Sequence, residues 1–396
     1  MVIEIFLALF LGVFAGTLTG LAPGIHINLV GAILISLSVY FLELTTPIIL
    51  VIFIVAMSIT HTFVDFIPSV FLGAPNEDTV LSVLPGHELL KQGRGYEAIS
   101  LANYGGIAGI LILILISPVF IFLSPKFENI IYFLVPILLI ISVFLLIFTE
   151  QNKINAIIIF LLSGFLGIAV LNSNVSEPFL PMLSGLFGSS SLIISIKTKI
   201  QIPKQNIQMA KIRKSFFKPL VMAGIASPIC SFLPGIGSGQ AAVISSSVIK
   251  PAREEFLVLL GAVNTLGLGV SFIVLYIFGK TRTGMAVVIS QLLENITLNH
   301  VMIILTAGML TGILSFYLTL FLAKYFSKFI SRVNYTYLSI IILLAIFSVV
   351  FIFSGFLGIF ILIISTATGL FGILSDVRRI NLMGCLVVPV VLLYLV

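Results

Sequence analysis

The stretch Ser231–Ser247 reads SFLPGIGSGQAAVISSS, and the stretch Gly20–Ser36 reads GLAPGIHINLVGAILIS. Each sets Pro-Gly inside strongly apolar sequence and follows it with small and polar residues. Proline removes a backbone donor, and glycine allows close backbone approach. In lipid, freed backbone groups are tolerated only against protein or a wet cavity. A matched pair of such breaks, one in each half of a chain, points to a transporter's binding site.

Composition supplies the surroundings. Of 396 residues, 60% are hydrophobic and 9% are charged, against about 25% charged in a soluble domain. With a mean hydropathy of +1.28, the chain reads as an all-α polytopic membrane protein. The apolar runs are continuous rather than alternating, which argues against a β-barrel. The first of them, residues 2–21, lacks a basic n-region and a cleavage site and reads as structural rather than as a signal peptide. The net charge of +6 does not point to nucleic acid. Seven of the 20 basic residues fall in one linker: Lys197, Lys199, Lys204, Lys211, Arg213, Lys214 and Lys218. Beside membrane spans, such a run reads as a cytoplasmic loop facing anionic lipid. Cys230 and Cys385 sit in apolar segments and read as buried thiols. No metal and no cofactor are expected.

The linker divides the chain into repeat 1 (1–196), the linker itself (197–218) and repeat 2 (219–396). Pro23-Gly24 matches Pro234-Gly235. The loop from Gly73 to Asp78 matches the loop from Gly279 to Gly284. YGGIAGIL (104–111) matches TAGMLTGIL (306–314), and GFLGIAVL (164–171) matches GLFGILS (369–375). Four pairs in one order indicate an internal repeat. Each half reads as a re-entrant hairpin (3–42 and 219–249) plus five spans: 46–72, 97–123, 127–148, 154–171 and 180–195, then 256–278, 301–322, 336–353, 356–374 and 380–396. Five is odd, so the second half is expected inverted. With the linker inside, 17 of the 20 basic residues lie in cytoplasmic loops, as the positive-inside rule requires.

Candidate functional residues gather at the breaks. Pro23, Gly24, His26 and Asn28 mark the first. Pro234, Gly235, Gly237, Ser238, Gly239 and Gln240 mark the second. A half-helix beginning after either break would aim its positive end at a carboxylate or phosphate; the plain alternative is a kinked helix packed on small residues. The repeat sets Glu77 and Asp78 opposite Lys280 and Arg282. These charges read either as a gate or as sites for a coupling cation and an anionic substrate, unless both loops lie in solvent. Asp65 follows His61 by four residues, on one helix face, as a proton relay or as a packed polar pair.

The segment GAPNEDTVLSVLPGHELLKQGRGYEAISLANYGGIAGIL (73–111) resembles the large permease subunit of the tripartite tricarboxylate transporter family. The Pro-Gly hairpins and PMLSGLFGSSSLI (181–193) resemble further elements of that family. The resemblance implies a membrane permease for citrate-like carboxylates, coupled to sodium or protons. It also implies a small membrane subunit and an extracytoplasmic binding protein as partners, and a lining role for Asn264. Glu77, Asp78, Lys280 and Arg282 depart from the family pattern. A looser resemblance, carried by PGIGSG (234–239), is to polyprenyl-phosphate transporters.

The expected function is therefore alternating-access movement of an organic anion held between the hairpin tips. Translocation of a lipid phosphate is one alternative, and a membrane-embedded enzyme or a non-transporting membrane subunit is another. Against the enzyme, no GxGD, HExxH or GxSxG motif is present.

Overall fold

The computed structural model describes residues 2–22, 34, 42–43, 45–74, 79–198, 202–231, 237–293, 295–375 and 377–395. Among these the chain is helical throughout, without strands. Eight helices are long and apolar enough to cross a membrane, and shorter apolar helices cover Pro136–Phe148 and Arg379–Leu393.

In the first half of the chain, α1 (Val2–Leu21) packs on α2 (Pro47–Val64). Gly12 lies against Ala56, Gly16 against Thr60 and Gly20 against Val64. The two helices thus run parallel, and Val2 and Pro47 start at the same level. Next come α3 (Val83–Lys91), α4 (Gly95–Phe148), α5 (Lys153–Leu171) and α6 (Phe179–Lys197).

The 54 residues of α4 would reach about 80 Å as a straight rod. Yet both of its ends meet the start of one helix, α9 (Arg253–Phe278). Arg94, capping its first turn, pairs with Glu254, and Leu146, near its last, lines a cavity with Phe256. The helix folds back over its own length, and Pro118, Pro125 and Pro136 lie along it. Its first leg, Gly95–Lys126, is long and apolar enough to cross a membrane, whereas the returning Pro136–Phe148 is a shorter apolar helix than the second span the sequence suggests.

In the second half, α7 (Phe217–Cys230) and α8 (Ser238–Ile249) precede α9. They have 14 and 12 residues, or about 21 and 18 Å, whereas the hydrocarbon core is about 30 Å thick. α7 starts beside α9, where Arg213 pairs with Glu254. α8 ends at Lys250, three residues before α9 begins. Then come α10 (Gly284–Leu292), α11 (Leu298–Ile330), α12 (Tyr335–Leu374) and α13 (Gly384–Leu395). Gly355, at φ 63° and ψ −160°, splits α12 into two helices, where the sequence separates two spans.

α9 is the axis of the fold: 94% of its apolar window is buried, against 22% for α1. It lies parallel to α4, with Ala102 opposite Gly261 and Leu113 opposite Gly269. A methyl group on Gly261 would stand 1.9 Å from the Ala102 carbonyl oxygen, so only glycine permits this approach. α11 runs antiparallel to α4, because Asn103 Nδ2 donates to Phe316 O at 3.0 Å while Ile110 abuts Gly312. It runs parallel to α2, where Gly308 faces Val55 and Ser315 donates to Thr60. It follows that α2 and α9 are antiparallel. On the outside, Ile3, Leu115, Phe122 and Phe356 stand exposed, as lipid-facing residues do.

The linker is pinned rather than loose. Gln205 Oε1 accepts from Gly95 N at 2.8 Å, and its Nε2 donates to Leu90 O. Ala210 N donates to Ser100 Oγ, and Tyr104 donates to Ala210 O. The linker therefore crosses the first turns of α4, beside the start of α9.

Candidate functional site

The second Pro-Gly break leads straight into α8. Pro234 and Gly235 lie outside the described residues, but Gly237 stands at the N-cap and the helix begins at Ser238. Ser238 and Gln240 are buried, at 6% and 2% exposure. Gln240 Oε1 turns back to accept from Gly237 N at 2.9 Å, so this side chain caps the helix. Gly239 lies against Met383; a Cβ there would come within 2.6 Å of the methionine methyl. The other first-turn N–H groups of α8 carry the positive end of its dipole. Of the first break, Pro23, Gly24, His26 and Asn28 all lie outside the described residues.

The segments flanking the two matched loops share two features. Each loop opens on a left-handed glycine, Gly73 at φ 66° and Gly279 at φ 62°. A hydroxyl pair closes each: Ser69 donates to Thr79 Oγ1 at 2.7 Å, and Ser271 Oγ meets Thr283 Oγ1 at 3.1 Å. Glu77 and Asp78 lie outside the described residues. Lys280 is exposed with its ammonium over the Phe278 ring, and Arg282 is half-buried. Both follow the C-terminal end of α9, a helix length away from Arg253.

His61 and Asp65 share one face of α2, both buried, with Nε2 and Oδ2 4.0 Å apart. His61 Nδ1 stands 3.1 Å from Thr19 Oγ1 on α1. Asn264 is buried and donates to the Thr62 carbonyl at 3.4 Å, which ties α9 to α2 at the residue after His61.

Sequence reading counted the residues at the opposite end only as loop charges. Arg94 bonds both Glu97 and Glu254, which raise its pKa above the ordinary arginine value. Glu254 also takes Arg213, and Arg253 pairs with Glu88. Arg378 pairs with Glu150 at 2.5 Å and also donates to the Leu146 carbonyl. Nearby, His87 is buried against Tyr335, and burial, with Lys91 and Arg379 close by, holds its imidazole down to about 3. The signal for this cluster was the density of cations in two short segments, Lys250–Arg253 and Arg378–Arg379. Among the described residues no group of three or more His, Cys, Asp or Glu side chains could hold a metal.

Long apolar helices, broken spans and polar side chains buried between them define a multi-pass membrane transport protein. The chain belongs to the tripartite tricarboxylate transporter TctA family, whose model matches residues 6–384. Members of that family serve in tripartite systems with partner subunits. Among curated proteins, the chain is 33% identical over 390 residues to Uncharacterized protein MJ1079 of Methanocaldococcus jannaschii, covering 95% of each chain. No solved structure matches it.

Proposed function

We infer that the chain is the permease of an organic anion of the carboxylate class. Its two halves form inverted repeats that alternate access to a substrate held between the Pro-Gly tips. Helices that correspond in the two halves run opposite ways: α2 against α9, and the first leg of α4 against α11. Their glycine surfaces exchange partners symmetrically. Gly105 of α4 packs on Val258 of α9, and Gly308 of α11 on Val55 of α2. Gly167 of α5 packs on Cys385, and Gly369 of α12 on Leu186. The observation that carries the reading is the length of α7 and α8. Two helices too short to cross, with both outer ends near the start of α9, form a re-entrant hairpin whose tip stops within the membrane. There the start of α8 presents backbone N–H groups to an anion.

In this reading the cell membrane holds the protein with the linker on the cytoplasmic side. His61 and Asp65 carry the coupling proton or cation. Lys280 and Arg282 draw the anion in from the other face, with Glu77 and Asp78 as their counterparts in the first half. A small membrane subunit and an extracytoplasmic binding protein complete the system. Replacing Gly239 by Leu tests the tip: uptake of carboxylate into proteoliposomes should vanish while the purified protein stays monodisperse. Uptake at the wild-type rate in that variant would exclude the tip as the binding site.

A further inference from the structure

A cavity of about 290 Å³ opens at the basic end of the fold, between the turn joining α8 to α9 and the segment leading into α13. Its wall includes Ser246, Lys250, Arg253, Arg378 and Arg379, with Glu88 as the one carboxylate among the lining residues. Four cations thus face one acid.

Most of these cations are held in place by other bonds. Arg253 pairs with Glu88, and Arg378 with Glu150. Arg379 donates to the Leu186 and Phe187 carbonyls and to the Ser190 and Ser191 hydroxyls, with its guanidinium over the Phe187 ring. Among the described residues no acid pairs with Lys250. Its backbone sits in the left-handed region at φ 46°, a conformation that strains a non-glycine residue.

Two buried polar atoms in the wall lack hydrogen-bond partners: the Ser246 hydroxyl oxygen and the Arg379 Nε. Each residue is only 7% exposed. A buried polar group without a partner destabilises its surroundings, and a guest whose oxygens reached either atom would relieve it. A guanidinium, an ammonium and a hydroxyl can all donate. Their common complement is a cluster of anionic oxygens.

We propose that this cavity is a second anion site, separate from the hairpin tip, for a compact polyanion presenting carboxylate or phosphate oxygens. It lies at the opposite end of α8 from Ser238, about 18 Å along the helix axis. Lys250 and Arg253 are exposed at its mouth, so it takes its ligand from the face that carries the linker. It stands whether or not the tip binds substrate.

Calorimetric titration of the purified full-length protein in zwitterionic nanodiscs, with citrate and with inorganic phosphate as probes, tests the site. Lys250→Gln should weaken binding about tenfold, Ser246→Ala severalfold, and Lys250→Arg should retain it. Repeating the titration with phosphatidylglycerol in the disc separates two sources of the oxygens. Loss of probe binding there assigns the cavity to a lipid headgroup phosphate, and unchanged binding assigns it to a soluble anion. Binding that survives both Lys250→Gln and Ser246→Ala in a Gly239→Leu background, where the tip is closed, overturns the site. So does binding removed by Gly239→Leu alone, a result that would leave the tip reading standing. Absence of binding by wild type to either probe and to anionic lipid also overturns it.

Discussion

Ser69 and Thr79 are joined through their hydroxyls at 2.7 Å, and Ser271 and Thr283 repeat the bond in the other half at 3.1 Å. Each bond spans a loop that starts on a left-handed glycine. The two loops carry opposite charges, yet the clasp beneath them is the same.

The clasp should be energetically separable from the charges. Ser69→Ala and Thr79→Val should each lower stability by about 1 kcal/mol. The double variant should cost less than their sum, because the two groups share one bond. Thermal unfolding in detergent, arranged as a double-mutant cycle, reads the coupling.

Close backbone contact between α4 and α9 sets a steeper limit. Gly261→Val forces a side chain into the Ala102 carbonyl, and overpacking of this kind costs at least about 1–3 kcal/mol. The expected result is loss of monodisperse protein on size-exclusion chromatography. Gly267→Ala, on the same helix with open space at its Cβ position, should purify normally.

The pinned linker predicts protease resistance. Gln205→Ala leaves Gly95 N without its partner and removes one of the two donors to Leu90 O, which keeps Gly93 N, at a cost of about 1–3 kcal/mol if Gly95 N remains buried. Trypsin should then cut the basic linker faster than in wild type, which electrophoresis of timed digests would reveal. Equal cutting rates would mean that Gln205 does not hold the strand.

His87 gives a pH signature. Its imidazole stays neutral in the folded protein down to about 3, whereas the unfolded chain takes up a proton near 6.5. The unfolded state therefore binds more protons across that interval. Stability from this group is complete above about 6.5 and falls as the pH drops toward 3. His87→Gln should flatten the decline of melting temperature over that range.

Asp65 separates coupling from packing. Asp65→Asn keeps a polar side chain beside His61 but removes the charge. If the pair carries the coupling ion, carboxylate uptake should lose its dependence on an imposed proton or sodium gradient while facilitated exchange persists. Uptake with wild-type gradient dependence would leave the pair a packing feature.

Helix number and helix ends were largely legible, because apolar runs of about 20 residues and Pro-Gly breaks are local signals. The start of α8 at Ser238 and the split of α12 beside Gly355 follow from such signals. The continuation of α4 as one helix through its bend was not legible, since prolines, which remove a helical donor, mark interruptions in sequence even where helical geometry carries on past them. The bond from the Asn264 amide to the Thr62 carbonyl was not legible, because no local pattern tells which carbonyl on another helix an amide will reach. The cavity at Lys250 was invisible for a related reason. Its cations come from segments more than a hundred residues apart, and the sequence offers them only as a count of positive charge.

Neither half of this chain encloses its own middle. Gly105 and Gly109 of the first half find their partners only in Val258 and Ala262 of the second, some 150 residues later in synthesis. Until those residues emerge, a seam of bare glycine backbone faces lipid. Maturation is therefore a joint event, completed when the two halves clasp. Halves produced as separate polypeptides should be short-lived alone and rescue one another when made together.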